Sequence, residues 1–437
     1  MAIAPPASTA YVSTARVAEH TDPHLLECHD CGLVQRVPAL PPGARATCAR
    51  CDAVLRTTRH DPFGLPLALN LTGLMLFGLG ASMTLMSLSS TGQHTAASLL
   101  SGPLGLERYG QAALAIVVII TTVAIPLARV VGMLAVLLAL RVPRPPPWTK
   151  AVYATVEHLR PWSMIEIYLL GVFVAYVKLV SMAHIDLGLA LYALAALTVA
   201  MVAADAVVDD HAIWEAIDRG HRPGRARVRS AGILGARLLR IGCHTCGMVS
   251  RGRDGAHCPR CGFKLHHRKP QAIARAWALL IAAVILYIPA NIYPVLIIHQ
   301  LGSNLPSTIL GGVHELMLAG MWPLALLVFV ASIVVPILKI ICLAVLLIST
   351  QMHATWGLKE RTVLYRVVDF VGRWSMIDVF MVSLLVALVQ FGSITSIAPG
   401  NGATAFAAVV ILTMFAAESF DPRLMWDAAE QQTRHAA

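Results

Sequence analysis

The sequence predicts an α-helical polytopic membrane protein of about eight transmembrane helices, in two tandem four-helix repeats, each preceded by a small β-rich zinc ribbon. Three observations predict it. Of 437 residues, 57% are hydrophobic and only 13% charged, too few polar side chains to clothe a soluble body of that size. Eight of the nine cysteines fall into four CxxC pairs. Short motifs recur in the same order about 210 residues apart.

The helices come first. A bilayer core takes roughly 20 apolar helical residues, and runs of that order lie at 66–91, 112–140, 163–184, 187–208, 274–298, 320–349, 375–398 and 402–419. The second and sixth are long enough to tilt or to extend beyond the membrane. With the N-terminus in the cytosol, Arg141, Arg144, Lys150 and Arg160 share a side with Lys359, Arg361, Arg366 and Arg373, and with the basic segment 209–273. The opposite stretches 92–111, 299–319 and 399–401 hold a single basic residue, Arg108. This is the positive-inside pattern, and it assigns the net charge of +10 to anionic inner-leaflet lipid rather than to nucleic acid. The arginines from Arg219 to Arg240 suit a lipid-contacting linker and a solvated loop equally well. The first 60 residues are polar and carry prolines and cysteines, so no cleaved signal peptide is expected.

The expected organisation is a disordered tail at 1–22, a ribbon at 23–60, a four-helix module at 61–215, a basic linker at 216–240, a second ribbon at 241–270, a second module at 271–427 and a tail at 428–437.

The ribbons follow from cysteine spacing. Cys28-His29-Asp30-Cys31 precedes Cys48-Ala49-Arg50-Cys51, and Cys243-His244-Thr245-Cys246 precedes Cys258-Pro259-Arg260-Cys261. Each CxxC turn aims two sulfurs at one ion, and Gly32, Gly247 and Gly262 supply permissive backbone beside it. Four thiolates close the shell of a zinc ion and leave no position for a reacting water, so both sites read as structural. A redox CxxC would open a helix in a βαβ unit, a context missing here, and zinc-binding thiolates call for a reducing compartment. Metal binding worth about 10 to 16 kcal/mol is the usual source of such a module's stability.

The repeat is legible in two motifs. Arg160-Pro161-Trp162-Ser163-Met164-Ile165-Glu166 returns as Gly372-Arg373-Trp374-Ser375-Met376-Ile377-Asp378, and Ile125-Pro126-Leu127-Ala128-Arg129 as Val335-Pro336-Ile337-Leu338-Lys339. An even number of spans per copy gives both copies one orientation, related by an axis along the membrane normal.

Ionisable groups at membrane depth cost roughly 2.5 to 3.5 kcal/mol on insertion scales, so each one marks a role or a partner. Arg129 and Lys339 hold matched places in the second and sixth spans. Each is expected to reach the acid of its own repeat, Glu166 or Asp378, unless those acids serve only as interfacial anchors behind Trp162 and Trp374. Lys178 is expected to reach Asp186, and its repeat counterpart is Gln390. Thr413 lies at a depth similar to Lys339, while Asp205 and Glu418 close the fourth and eighth spans as interfacial residues. Pro126, Pro289, Pro294 and Pro336 interrupt spans and either line a cavity or shape the bundle.

Two ribbons, each followed by four spans with Trp-Ser-Met-Ile-acid and Pro-x-x-Lys/Arg signatures, resemble the paraquat-inducible protein A family of bacterial inner-membrane proteins. The resemblance covers nearly the whole chain. It implies a multi-pass inner-membrane protein with both termini and both ribbons cytosolic, working with a periplasmic protein of stacked MCE domains to load or receive phospholipid. It also implies a polar transmembrane network at Lys339, Asp186 and Thr413, with Arg129 standing where the family's lysine would be in the first half.

Two functions compete. One is an intermembrane phospholipid transport component; the other is a non-transporting scaffold whose ribbons dock cytosolic partners. No GxxxxGK[ST] loop is present, so this chain is not expected to use ATP. No nucleophile, haem ligand pair or open metal site suggests an enzyme, and Cys342 in the sixth span reads as core.

Overall fold

The computed structural model describes residues 25–90, 93–180, 184–220, 239–300, 303–391 and 395–436. The expected N-terminal tail and most of the expected basic linker lie outside the described residues. Eight helical segments among the described residues are long and apolar enough to cross a membrane: Gly64–Ser82, Ala112–Ala139, Trp148–Leu179, Leu189–Val207, Ala272–Ile292, Trp322–Gln351, Leu358–Leu388 and Asn401–Ser419. They are the first to eighth spans below, and the protein is a multi-pass membrane protein.

Four apolar runs end earlier as helices than their hydropathy predicts. Met86–Ser90, His184–Leu187, Leu296–Gln300 and Thr395–Pro399 are strands. Hydropathy alone does not separate a helix from a strand, but the period does: Met86 and Leu88 are buried while Ser87 and Ser89 face outward. In the first half, Met86–Ser90 pairs antiparallel with Gln93–Ala97 and with His184–Leu187. In the second half, Leu296–Gln300 pairs with Ser303–Ser307 and with Thr395–Pro399, which also takes Gln390–Phe391. The two sheets cap the bundle at the end opposite the ribbons. Gly188 and Gly400 start the fourth and eighth spans, where a Cβ would overlap the carbonyl oxygens of Thr84 and Pro294. Only glycine lets the helix start so close to the sheet.

The second and sixth spans, at 28 and 30 residues, are as long as expected. Each carries one wide π-turn, Ile120–Ala124 or Val330–Val334, just before its proline. Pro126 and Pro336 lack an N–H and crowd the preceding turn, and the widened turn absorbs both defects.

The third and seventh spans are each two helices. An amphipathic piece, Trp148–Leu159 or Leu358–Trp374, leads into an apolar one, Ile165–Leu179 or Ile377–Leu388. The two apolar pieces meet at the centre of the molecule, with Tyr168 edge-on to Phe380 at 5.7 Å between ring centroids. The first span packs on the fourth and the fifth on the eighth, flanking this pair.

Each ribbon is built of short hairpins and docks on the half it does not precede, the second ribbon also on its own half through Arg268 to Asp427 and the Lys269 amide to Asp421. The first ribbon reaches the second half through Asp30 to Arg366 at 2.6 Å and Arg50 to Glu430 at 2.7 Å. Its four cysteines share an apolar cluster with Leu280, Leu343, Phe420 and Trp426. The second ribbon reaches the first half through Arg260 to Asp218 at 2.5 Å and the stacking of Phe263 on His158. Its cysteines cluster with Met133, Tyr153 and Trp214. The expected tail at 428–437 is, as far as described, the end of a helix, Arg423–Ala436, held because Met425 and Trp426 bury themselves in the first cluster.

Candidate functional site

The two cysteine sets are candidate metal centres. In each, four Sγ atoms lie within 4.8 Å of one another. Cys28 to Cys51 and Cys31 to Cys48 are both 3.5 Å apart; Cys243 to Cys261 and Cys246 to Cys258 are 3.4 and 3.6 Å. A tetrahedron of about 2.3 Å Zn–S bonds has edges of about 3.8 Å, so the sulfurs fit that ion, and none is close enough for a disulfide. The backbone explains the fit. The amides of Gly32, Asp52, Gly247 and Gly262 return to the carbonyls of Cys28, Cys48, Cys243 and Cys258. All four residues have positive φ, and Asp52, at 58°, is the one that is not glycine. Seven of the eight cysteines are buried and Cys261 nearly so, which leaves no open coordination position.

The ribbons also touch each other. The Gly242 amide donates to the Glu27 carboxylate, and Arg423, 2% exposed, donates to Glu27 at 2.8 Å and to Asp421 at 2.9 Å. A guanidinium nitrogen of Arg423 lies 2.7 Å from His244 Nε2. Burial, then the positive charge of Arg423, pushes His244 down to about 4, so it stays neutral and accepts that hydrogen bond. Burial opposes the Asp421 carboxylate, but bonds from Arg423 and the Lys269 amide outweigh it and hold the group below its ordinary value. This junction and a neighbouring cavity of about 270 Å³ were missed in the sequence, although Asp209/Asp421 and Trp214/Trp426 repeat with one spacing.

At membrane depth the expected partners change. Arg129 does not take Glu166; it bonds Asp205 at 2.7 Å, so Asp205 is more than an interfacial end residue. The fourth and second spans both pack on the first, and the end of the fourth brings Asp205 to Arg129. Lys339 does not reach Asp378. It is 3% exposed, its Nζ has no hydrogen-bond partner among the described residues, and it packs against Gly372, where a Cβ would collide with it. Asp378 is buried and lines one cavity with Ser332, from the π-turn of the sixth span.

Lys178 does not turn to Asp186 either. It lines a cavity of about 50 Å³ with Thr308, Ser332 and Asp378. Asp186 sits on an exposed strand, 3.4 Å from His184. Thr413 donates to the Val410 carbonyl of its own helix. The structure therefore does not bring Lys339, Asp186 and Thr413 together. Lys178 and Asp378 instead line one small cavity between the two halves, a placement that within-repeat reasoning could not find.

An apolar groove of about 770 Å³ lies between the third and fourth spans and the amphipathic piece of the seventh. Leu170, Phe173, Tyr176, Leu191 and Val202 form its walls, with Phe370 and Trp374 opposite. Glu166 and Arg373 stand at the ribbon end and Leu187 at the sheet end. Phe173 is 58% exposed, so the groove opens sideways at membrane depth.

The family described as Paraquat-inducible protein A matches residues 65–218 and 273–430. The two matched stretches are the two four-span halves. This chain belongs to the paraquat-inducible protein A family. Among relatives, it is 35% identical to the Intermembrane transport protein PqiA of Escherichia coli (strain K12), over 93% of this chain and 96% of that protein. It is 31% identical to the Lipophilic envelope-spanning tunnel protein A of the same strain, over 92% of this chain and 91% of that one. The Probable intermembrane transport protein of Haemophilus influenzae is 27% identical, over 92% and 95%. No solved structure matches the chain. In this paraquat-inducible protein A family member, the groove and the Lys178–Asp378 cavity both lie between the two matched stretches.

Proposed function

We propose that the protein is an inner-membrane component of an intermembrane phospholipid transport system, with its ribbons and both termini in the cytosol. It passes lipid to or from a periplasmic MCE-domain tunnel. The observation that carries this reading is the groove: an apolar trough open to the bilayer, with opposite charges at one end only, has the shape and polarity of a lipid. The names of the relatives support transport between membranes. The alternation of basic loops supports the orientation, since the ribbons share the basic side. Zinc is the metal we assign to the two cysteine sets, on the chemistry and spacing of four thiolates.

From Glu166 to Tyr176 the helix rises about 15 Å at about 1.5 Å per residue, which is the depth of one leaflet of a core about 30 Å thick. The groove thus takes one acyl chain along its length. Lys339 is the residue of the polar set we assign to the transport cycle, because a buried ammonium without a partner favours any conformation that supplies one. Asp186 and Thr413, grouped with it by resemblance, are assigned no contact with it in this conformation.

Filling the groove tests the reading. Leu170→Trp and Leu191→Trp each place a large ring in the trough. The protein is extracted from phospholipid membranes into detergent, and retained lipid is counted by mass spectrometry. The wild type is expected to hold phospholipid that both variants lose, at unchanged yield and zinc content. Equal retention in all three proteins contradicts a lipid path there and favours the scaffold reading.

A further inference from the structure

Resting on the lipid reading of the groove, we infer that its charged end selects an amine-bearing zwitterionic headgroup, with the phosphate at Arg373 and the ammonium at Glu166. Both side chains line the same end of the trough, Glu166 in the first turn of Ile165–Leu179 and Arg373 in the last turn of Leu358–Trp374. They come from different halves. Arg373 is the charge that acts most strongly on Glu166, yet the two form no ion pair. A positive and a negative group held apart at the mouth of an apolar trough complement a headgroup whose own two charges are separated.

The neighbours leave both groups available. Arg129, the other cation near Glu166, is committed to Asp205, and Arg160 lies 3.7 Å from the same carboxylate. The Arg373 guanidinium leans over the Phe370 ring, 5.9 Å from its centroid, which holds its plane beside the trough. Arginine offers a phosphate two parallel N–H donors, and a carboxylate accepts hydrogen bonds from a primary ammonium. A glycerol headgroup brings no cation to Glu166 and leaves that carboxylate beside a lone phosphate. The matched positions in the other half cannot do this. Pro161 stands where Arg373 does, and Asp378, the counterpart of Glu166, is buried.

The test uses the full protein in vesicles with equal amounts of phosphatidylethanolamine and phosphatidylglycerol. Both carry the same photoreactive acyl chain, and their headgroups are distinguishable by mass. After irradiation, labelled peptides from 166–176 are counted. The wild type is expected to favour phosphatidylethanolamine about tenfold, the factor that about 1.4 kcal/mol of headgroup interaction confers. Glu166→Gln is expected to bring the two lipids to near equality while total labelling persists. Arg373→Gln is expected to reduce labelling by both. Equal labelling by both lipids in the wild type, or a preference unchanged in Glu166→Gln, overturns the headgroup assignment and leaves the lipid path standing. Absence of label from either lipid removes both.

Discussion

The two halves share motifs, topology and even their π-turns, yet they pack differently against each other. In the seventh span 78% of the most apolar window is buried, against 56% in the third; in the sixth only 22%, against 50% in the second. On one side of the molecule the gap between halves is filled. The short helix Ser101–Arg108 presses Gly102 against Ser383, Thr95 donates to the Leu388 carbonyl at 2.8 Å, and Trp162 packs on Phe415. On the other side the matching helix Ile309–Leu318 leaves Leu310, Met317 and Leu318 exposed, and the groove stays open. A duplicated sequence therefore yields one sealed seam and one open one.

The same inequality runs through the buried charges. Arg129 has a carboxylate at hydrogen-bond distance, and Arg160 helps to hold it. In the second half, Gly372 stands in place of Arg160, and the Lys339 ammonium packs against it with no hydrogen-bond partner among the described residues. The first half is electrostatically closed and the second is poised.

The largest expected effect tests the crossed docking. Metal binding supplies about 10 to 16 kcal/mol to such modules, so Cys31→Ser and Cys246→Ser should each unfold one ribbon. Hydrogen exchange should then rise in Arg423–Ala436 for Cys31→Ser and in Asp210–Gly220 for Cys246→Ser. Exchange that stays unchanged in Arg423–Ala436 for Cys31→Ser, or in Asp210–Gly220 for Cys246→Ser, would break the crossed arrangement.

A smaller effect sharpens the charge comparison. Asp205→Asn leaves Arg129 buried without its anion and should cost about 2 kcal/mol, less than the roughly 3 to 5 kcal/mol of a fully buried pair because Asp205 is partly exposed. Glu418→Gln, at the end of the eighth span, should cost no more than about 0.5 kcal/mol. Thermal unfolding in detergent reads both. Equal costs would mean that the halves carry equivalent pairs.

Smaller still is the acid response of the ribbon junction. The folded-state value of Asp421 lies below its ordinary one, so the stability it contributes is fully present above about pH 4 and fades as pH falls further. Asp421→Asn should remove that acid-side loss, seen as a flatter dependence of melting temperature on pH below about 4. An unchanged slope would place the acid sensitivity elsewhere.

Much of the fold was legible because its causes are local. Apolar length marked the eight spans, CxxC spacing marked the metal centres, and Trp-Ser-Met-Ile marked the duplication. The glycines after three of the four CxxC turns announced positive φ, while Asp52 took that conformation unannounced. What stayed hidden depends on which elements meet. No periodicity tells that Lys178 and Asp378 line one cavity, or that a ribbon crosses to the other half. Span ends were overextended wherever apolar residues continued from helix into strand, as at Met86–Ser90 and Leu296–Gln300. The groove was hidden for the same reason: Glu166 and Arg373 each looked like a residue of its own repeat.

The most direct test of the unequal seams needs no mutation. Wild-type protein in vesicles containing a phospholipid with a photoreactive acyl chain is irradiated, and label on 166–176 is compared with label on the matched peptide 378–388. The unequal arrangement predicts label concentrated on the third-span peptide and nearly none on its counterpart. Equal labelling of the two peptides would contradict it.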